Sequence, residues 1–310
     1  MKILITGGAG YIGSLLTPHL LRENNEVTVV DKFIYHQTSL LDYCHDNRLT
    51  IINGDARDAD LIKQQLKTAD AILPLACLTG APLCAKDPIA ARSTNLEAVQ
   101  LILQHRSKNQ RVIFPTTNSG YGVGEEGLHC TEETPLRPVS LYGKLKVEIE
   151  KILLDSENCM TFRFAMVFGM SPRMRLDLLV NDFTYRAVKD HFLILFEAHF
   201  KRNYLHVRDA VRAFSHGLKN FETMKGEPYN VGLNEANLSK MELCQEIKKQ
   251  VPDFYVTEAE IGEDQDKRNY IVSNEKIEST GFNTEYSLSQ GIRELIKGYQ
   301  IVNRNQFANV

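Results

Sequence analysis

Two short stretches carry the side chains best suited to chemistry. The first is Thr116-Thr117-Asn118-Ser119-Gly120-Tyr121-Gly122 and the second is Tyr142-Gly143-Lys144-Leu145-Lys146. Tyr142 and Lys146 stand four residues apart, which places both on one face of a predicted helix and lets the ammonium approach the phenol. A free phenol has a pKa near ~10 and is a poor base at neutral pH. A fixed cation beside it, with a further positive charge close by, favours the phenolate and lowers that value. Thr117, at the end of a predicted strand, can donate its hydroxyl to the same substrate oxygen. The three together suit removal of a proton from an alcohol while its carbon gives up hydride. A Tyr-x-x-x-Lys also arises by chance on surface helices, so the elements around it must decide.

The first thirteen residues bear most on that decision. Lys2 to Thr6 (KILIT) predicts a short strand, and Gly7-Gly8-Ala9-Gly10-Tyr11-Ile12-Gly13 opens a helix that stops at Asn24-Asn25. Glu26 to Asp31 (EVTVVD) predicts a second strand ending in an acid. This is a βαβ unit with G-x-x-G-x-x-G in its first turn. Such glycines let the backbone approach a pyrophosphate, and the helix start supplies amide donors. Asp31 is placed to accept from both adenosine ribose hydroxyls and would repel a 2′-phosphate, so NAD is preferred over NADP. Lys32, directly after it, works against that preference. Asp55, in Gly54-Asp55-Ala56-Arg57-Asp58, can reach an adenine amino group or cap a helix.

The alternation continues. Strands are predicted at Leu49 to Asn53, Ala69 to Leu75, Arg111 to Thr116 and Cys159 to Phe164. Asp87 caps and Pro88 starts a long helix to about His105, and Ser140 caps the helix of Tyr142 and Lys146. This rhythm predicts an α/β fold with a doubly wound parallel sheet. After Gly169 the elements shorten, which predicts a smaller C-terminal lobe over the ends of the sheet. Ligands of such sheets bind in the crevice there. A basic loop, Ser171 to Arg175, opens this lobe; Arg173 and Arg175 suit a nucleotide substrate or a solvated loop equally. The lobe's predicted elements are a helix from Asp177 to Val188 and short strands near residues 192, 203, 227 and 254. Further helices are predicted near 209–218, 239–250 and 288–302.

Bulk properties exclude several classes. The chain has 310 residues, 43% hydrophobic and 24% charged, with a formal net charge of −3. That charge gives no general attraction to nucleic acid or an anionic membrane. The six cysteines show no C-x-x-C and no metal-ligand spacing, so buried free thiols and no metal site are expected. There is no signal-peptide pattern at the start and no run of ~18 apolar residues, and a reducing cytoplasm is expected.

The set GGAGYIG, Asp31, GDARD, Leu75 to Cys77, Asn95, TTNSGYG, YGKLK, RNYLHVRDA, YNVG and DKRNY resembles the extended short-chain dehydrogenase/reductase family of nucleotide-sugar epimerases and dehydratases. The likeness spans nearly the whole chain. It implies a Rossmann NAD-binding domain over residues 1–165, with 203–225 packing back onto it. A substrate-binding lobe would take 166–202 and 226–310. It implies Thr117, Tyr142 and Lys146 as the catalytic set. The cofactor would lie on Gly7, Gly10, Tyr11, Ile12 and Gly13, then Asp31, Lys32, Asp55 and Ala56, then Leu75, Ala76 and Thr116, with Tyr142 and Lys146 at the nicotinamide. Substrate would be met by Thr79, Asn118, Ser119, Arg175 and Asn181, with Arg202 and Arg268 on its pyrophosphate. A guanidinium fork suits phosphate oxygens; the alternative for each arginine is an exposed charge.

The departures narrow the chemistry. The family's 4,6-dehydratases carry an Asp-Glu pair after the threonine, where this chain has Asn118 and Ser119, and neither does acid–base work at neutral pH. Loss of water is therefore not expected. The family's usual asparagine after the sixth strand is Met166. What remains is oxidation of a sugar hydroxyl, usually C4, with hydride either kept by the cofactor (dehydrogenase) or returned on the opposite face (epimerase). A non-catalytic NAD-binding regulator is a third reading, though such members usually lack the Tyr or Lys. PLACLTGAPLC, TTNSGYGVG, FGMSPRMRLDLLVNDFTYRA and IGEDQDKRNYIVSN resemble the group that oxidises C4 of GDP-D-glycero-α-D-manno-heptose in capsular polysaccharide biosynthesis. The resemblance also implies a homodimer through a four-helix bundle of the 87–105 and Tyr-Lys helices. Leu145, Ile149, Ile152 and Leu153 suit that interface or the core.

Overall fold

The computed structural model describes residues 1–259 and 268–302, so the IGEDQDK stretch lies outside the described residues. Among them the strands are β1 (Lys2–Thr6), β2 (Glu26–Asp31), β3 (Leu49–Asn53), β4 (Ala71–Pro74), β5 (Arg111–Thr117), β6 (His129–Cys130) and β7 (Cys159–Phe164). They continue with β8 (Met166–Phe168), β9 (Phe192–Leu195), β10 (Lys201–His206), β11 (Pro228–Val231), β12 (Asn237–Ser239), β13 (Tyr255–Glu258) and β14 (Ile271–Val272).

Seven of these form one sheet in the order β11-β7-β5-β4-β1-β2-β3, every pair parallel. The chain builds outward from β1 on one side and then from β4 on the other. The switch point therefore falls between β1 and β4, where Thr6 pairs with Pro74. Both faces of the sheet are covered, so its central strands read as continuous apolar runs: every residue of β4 and of β7 is buried. The expected doubly wound α/β sheet is present.

The helices that aim the site begin where the sequence places them. Ser140 accepts from the Gly143 amide at 3.1 Å and starts the helix Leu141–Leu154. Asp87 accepts from the Ala90 amide at 2.9 Å and starts the helical stretch 88–105, which has a π-helical segment at Ser93–Glu97. Leu145, Ile149 and Leu153 are buried in the core and Ile152 is half-buried. Of the two uses open to them, these residues serve the core, and Lys144, Glu148 and Lys151 face outward.

The helix Val207–Lys219 packs back on the main sheet, with Phe214 against Phe162 and Phe164 of β7 at 5.8 and 5.5 Å between ring centroids. The stretch 226–310 is not wholly part of the lobe, because β11 joins the main sheet as its seventh strand. Tyr229, Asn230 and Val231 are buried there, and the Tyr121 hydroxyl donates to Asn230 at 2.7 Å. The lobe itself holds a three-stranded sheet, β12-β10-β8, and a second core around Phe168, Val180, Phe183, Leu243 and Tyr299.

Candidate active site

A groove of about 260 Å³ opens at the carboxyl ends of the strands, where the switch point lies. Its shape starts with the glycine turn. Gly7 has φ +73°, and a Cβ there would lie 2.5 Å from the Ala76 amide nitrogen; a Cβ at Gly13 would lie 2.6 Å from the Gly8 Cα. These two glycines let the turn close onto itself and onto the end of β4. Gly10 differs: its Cβ would meet only the Gly7 carbonyl oxygen, at 3.3 Å. Gly10 lines the groove, so backbone rather than side chain is offered there, as a pyrophosphate requires.

The groove collects Gly7, Gly10, Tyr11, Ile12 and Gly13 with Leu75, Thr116, Thr117, Tyr142 and Lys146. Thr79, Arg175 and Arg268 line it too. Asp31, Lys32, Asp55, Ala56, Ala76, Asn118, Ser119, Asn181 and Arg202 are not among the lining residues. Asp31 is 8% exposed and accepts from the amides of Ala9 at 2.9 Å and Phe33 at 2.8 Å, which fixes the glycine turn against the end of β2. Lys32 turns to Asp55 at 3.0 Å, and Asp55 also takes a bidentate contact from Arg57. Arg57 first, then Lys32, holds the Asp55 carboxyl well below the usual range. The helix cap at this point is Asp58, which accepts from Asp60 and Leu61. Ala56 is buried, and the Ala76 amide meets the Thr6 hydroxyl at 3.4 Å.

Asn181 is fully buried, and its amide is engaged inside the fold: it accepts from Gly169 N at 3.0 Å and donates to the Arg175 carbonyl at 2.8 Å and the Tyr11 hydroxyl at 3.3 Å. It therefore braces the loop that carries Arg175. Arg202 is 2% exposed, donates to the Lys201 carbonyl and lies 5.8 Å from the ring of Tyr270, which does line the groove. Ser119 shares a 2.7 Å hydroxyl contact with Thr117. Among the described residues the buried amide of Asn118 has no hydrogen-bond partner on either atom. The Thr116 hydroxyl is turned to Glu150 at 2.7 Å, so only the rest of that residue faces the groove.

Lys146 is 4% exposed, donates to the Pro115 carbonyl oxygen at 2.8 Å, and stands 4.2 Å over the Phe114 ring. Burial pushes its ammonium below the ordinary lysine range, with the Cys77 thiol opposing. The lowered pKa expected of the Tyr142 phenol counts on a further positive charge beyond the protein's own groups, and those groups act in both directions. Burial pushes it above the tyrosine range and Cys77 adds to this, while Arg175 and Arg268 pull the other way. Removing water from around a phenolate costs more than these cations return. Cys77, Tyr35 and Tyr270 line the groove without having been singled out in the sequence. Cys77 belongs to the Leu75 to Cys77 piece of the family resemblance, and Tyr35 lies in an irregular stretch with no period to mark it.

The sequence of residues 3–232 matches the family model described as the NAD dependent epimerase/dehydratase family. The chain belongs to that family. Curated relatives include a UDP-glucose 4-epimerase of Lactobacillus helveticus, 26% identical over 276 residues, covering 80% of this chain and 81% of the relative. A dTDP-glucose 4,6-dehydratase of Streptomyces niveus is 28% identical, covering 80% and 77%. Solved structures share the fold. DesIV, a dTDP-glucose 4,6-dehydratase of Streptomyces venezuelae solved with NAD, has a TM-score of 0.85 at 24% identity, covering 97% of each chain. A UDP-glucuronic acid 4-epimerase of Bacillus cereus, solved with UDP-glucuronic acid and NAD, has a TM-score of 0.86 at 22% identity, covering 97% and 99%.

The family is NAD-dependent, and the open backbone at Gly10 together with the tightly packed glycines fits that dinucleotide. When bound, the nicotinamide supplies the hydride acceptor. Among the described residues no helix is long and apolar enough to cross a membrane, and no cluster of three His, Cys, Asp or Glu could hold a metal ion.

Proposed function

We propose that this chain oxidises the C4 hydroxyl of a nucleotide-linked sugar to the 4-ketone, with GDP-D-glycero-α-D-manno-heptose as the preferred substrate and capsular polysaccharide as the destination of the product. The observation that carries oxidation is the convergence of Tyr142, Lys146 and Thr117 on the groove that the glycine turn also lines. In this reading Tyr142 takes the hydroxyl proton as the C4 hydrogen leaves as hydride. Lys146 holds the cofactor's ribose side and favours the phenolate, and Thr117 orients the hydroxyl. Asn118 and Ser119 replace the acid pair that loss of water requires, which argues against dehydration. The unpartnered amide of Asn118 suits a polar contact to substrate. Arg268 and Arg175 serve the substrate pyrophosphate, with Thr79 beside them; Arg202 and Asn181 act behind these, as braces.

A second reading is 4-epimerisation, in which the hydride returns to the opposite face. It is favoured by the relatives named as UDP-glucose and UDP-glucuronic acid 4-epimerases. GDP-heptose resemblance in the sequence favours the first. The deciding experiment incubates the purified protein with GDP-, UDP-, CDP- and dTDP-sugars and analyses cofactor and product by mass spectrometry. A 4-keto product with reduced cofactor supports the first reading. An epimer formed with no external oxidant overturns it. We also propose a cytoplasmic homodimer formed through the outer faces of the 88–105 and Leu141–Leu154 helices; a monomer by light scattering would refute that assembly.

A further inference from the structure

The loop 171–175 comes from the substrate-binding side of the chain, yet it is fastened to the glycine turn. The Ser171 hydroxyl donates to the Tyr11 carbonyl at 2.7 Å and lies 2.9 Å from the Ser14 hydroxyl. The Tyr11 hydroxyl in turn donates to the Gly169 carbonyl at 2.7 Å. These bonds fix the start of the loop over the first turn of the helix Gly13–Arg22. Two residues on, the Arg173 guanidinium carbon stands 4.3 Å from the ring centroid of Tyr35, which lies in the irregular segment after β2. Arg173 is 4% exposed, and both it and Tyr35 line the groove beside Gly10, Tyr11 and Ile12. Asp31 is among the charges that act on Arg173.

We propose that Arg173 and Tyr35 form a clasp across the dinucleotide, in which Arg173 is the cation for the cofactor's diphosphate rather than for the sugar nucleotide. The inference deepens the NAD reading of this groove and rests on it. Main-chain amides of the glycine turn bring only partial charge to a group carrying two negative charges. Arg173 donates from one guanidinium nitrogen to the Met174 carbonyl, which holds the side chain in place on the groove wall. Arg173 follows two residues after Ser171, whose hydroxyl ties the loop to the glycine turn. A guanidinium lying on a ring directs its N–H donors along its own plane, and Tyr35 fixes that plane. The two halves of the clasp come from different parts of the chain. Dinucleotide leaves only when they part, so the cofactor is retained between turnovers.

The test purifies the wild type with Arg173→Gln, Arg173→Lys, Tyr35→Phe and Tyr35→Ala, with circular dichroism as the check on folding. Dinucleotide released on denaturation is quantified, and NADH loss on dilution is followed by its fluorescence. Wild type and Tyr35→Phe retain cofactor. Arg173→Gln and Tyr35→Ala lose it about tenfold or more faster, and Arg173→Lys, with charge but no plane, falls between. At saturating NAD the nucleotide-sugar KM stays at the wild-type value in all of them. Wild-type retention in a folded Arg173→Gln overturns the clasp. A raised sugar-nucleotide KM in that variant with unchanged NADH loss also overturns it and gives Arg173 to the substrate. A wild type that binds no dinucleotide in titration brings down the cofactor reading itself.

Discussion

The ammonium of Lys146 donates to the carbonyl oxygen of Pro115 across 2.8 Å. This bond ties the helix Leu141–Leu154 to β5 one residue before Thr116 and two before Thr117. It sets where the cation stands relative to the groove. Lys146→Met removes both bond and charge. The expected result is a fall of about 10²-fold or more in the rate of bound-cofactor reduction by sugar nucleotide, with the protein still folded. Stopped-flow absorbance of the reduced nicotinamide checks it.

Arg268 lowers the pKa of Tyr142, against burial, which raises it. A base works only when deprotonated, so the rate of cofactor reduction rises with pH through the phenol's pKa in the complex. Arg268→Met removes a lowering charge. The acid limb of the pH–rate profile therefore moves to higher pH, and the same profile measured on both proteins shows it. An unmoved or down-shifted limb would separate Arg268 from the base.

Glu150 lies one helical turn beyond Lys146 and is held by the Arg163 guanidinium at 2.8 and 3.0 Å and by the Thr116 hydroxyl at 2.7 Å. Both charges of the pair are buried. Glu150→Ala leaves a buried guanidinium without its carboxylate and is expected to cost about 3–5 kcal/mol in chemical denaturation. Glu150→Gln keeps an acceptor for Thr116 and is expected to cost less.

Glu294 bonds His206 at 2.7 Å and Arg208 at 3.0 Å. Burial raises its pKa, but these two partners more than reverse that and hold it below the usual glutamate value. A lowered folded-state pKa gives stability that is complete above the unfolded value, about 4.3, and that fades as pH falls through the folded one. Melting temperature measured from about pH 6 down to about pH 2 should fall less steeply in Glu294→Gln than in the wild type. Equal slopes would show that this carboxylate does not govern the acid limb.

Much of this architecture was legible because each piece had a local physical cause. The glycine turn, the acid ending β2 and the Ser140 and Asp87 caps are local signals, and all stand where the sequence puts them. The two- and three-residue strands β6, β8, β12 and β14 were not legible, since no period shows in so few residues. Tyr142 shows the larger gap. Its position followed from spacing, but its surroundings come from residues distant in sequence: burial and Cys77 raise its pKa, and Arg175 and Arg268 lower it. Asn181 and Arg202 show the same gap from the other side. Their types suit phosphate or sugar, and the burial of both side chains comes from packing that no local pattern marks.

The most direct test of the central claim is single-turnover reduction of bound NAD by the sugar nucleotide in the wild type and in Tyr142→Phe, with cofactor content measured in both. The phenol-as-base account predicts full cofactor in both proteins and a rate at least about 10²-fold lower in Tyr142→Phe. Equal rates with equal cofactor would contradict it.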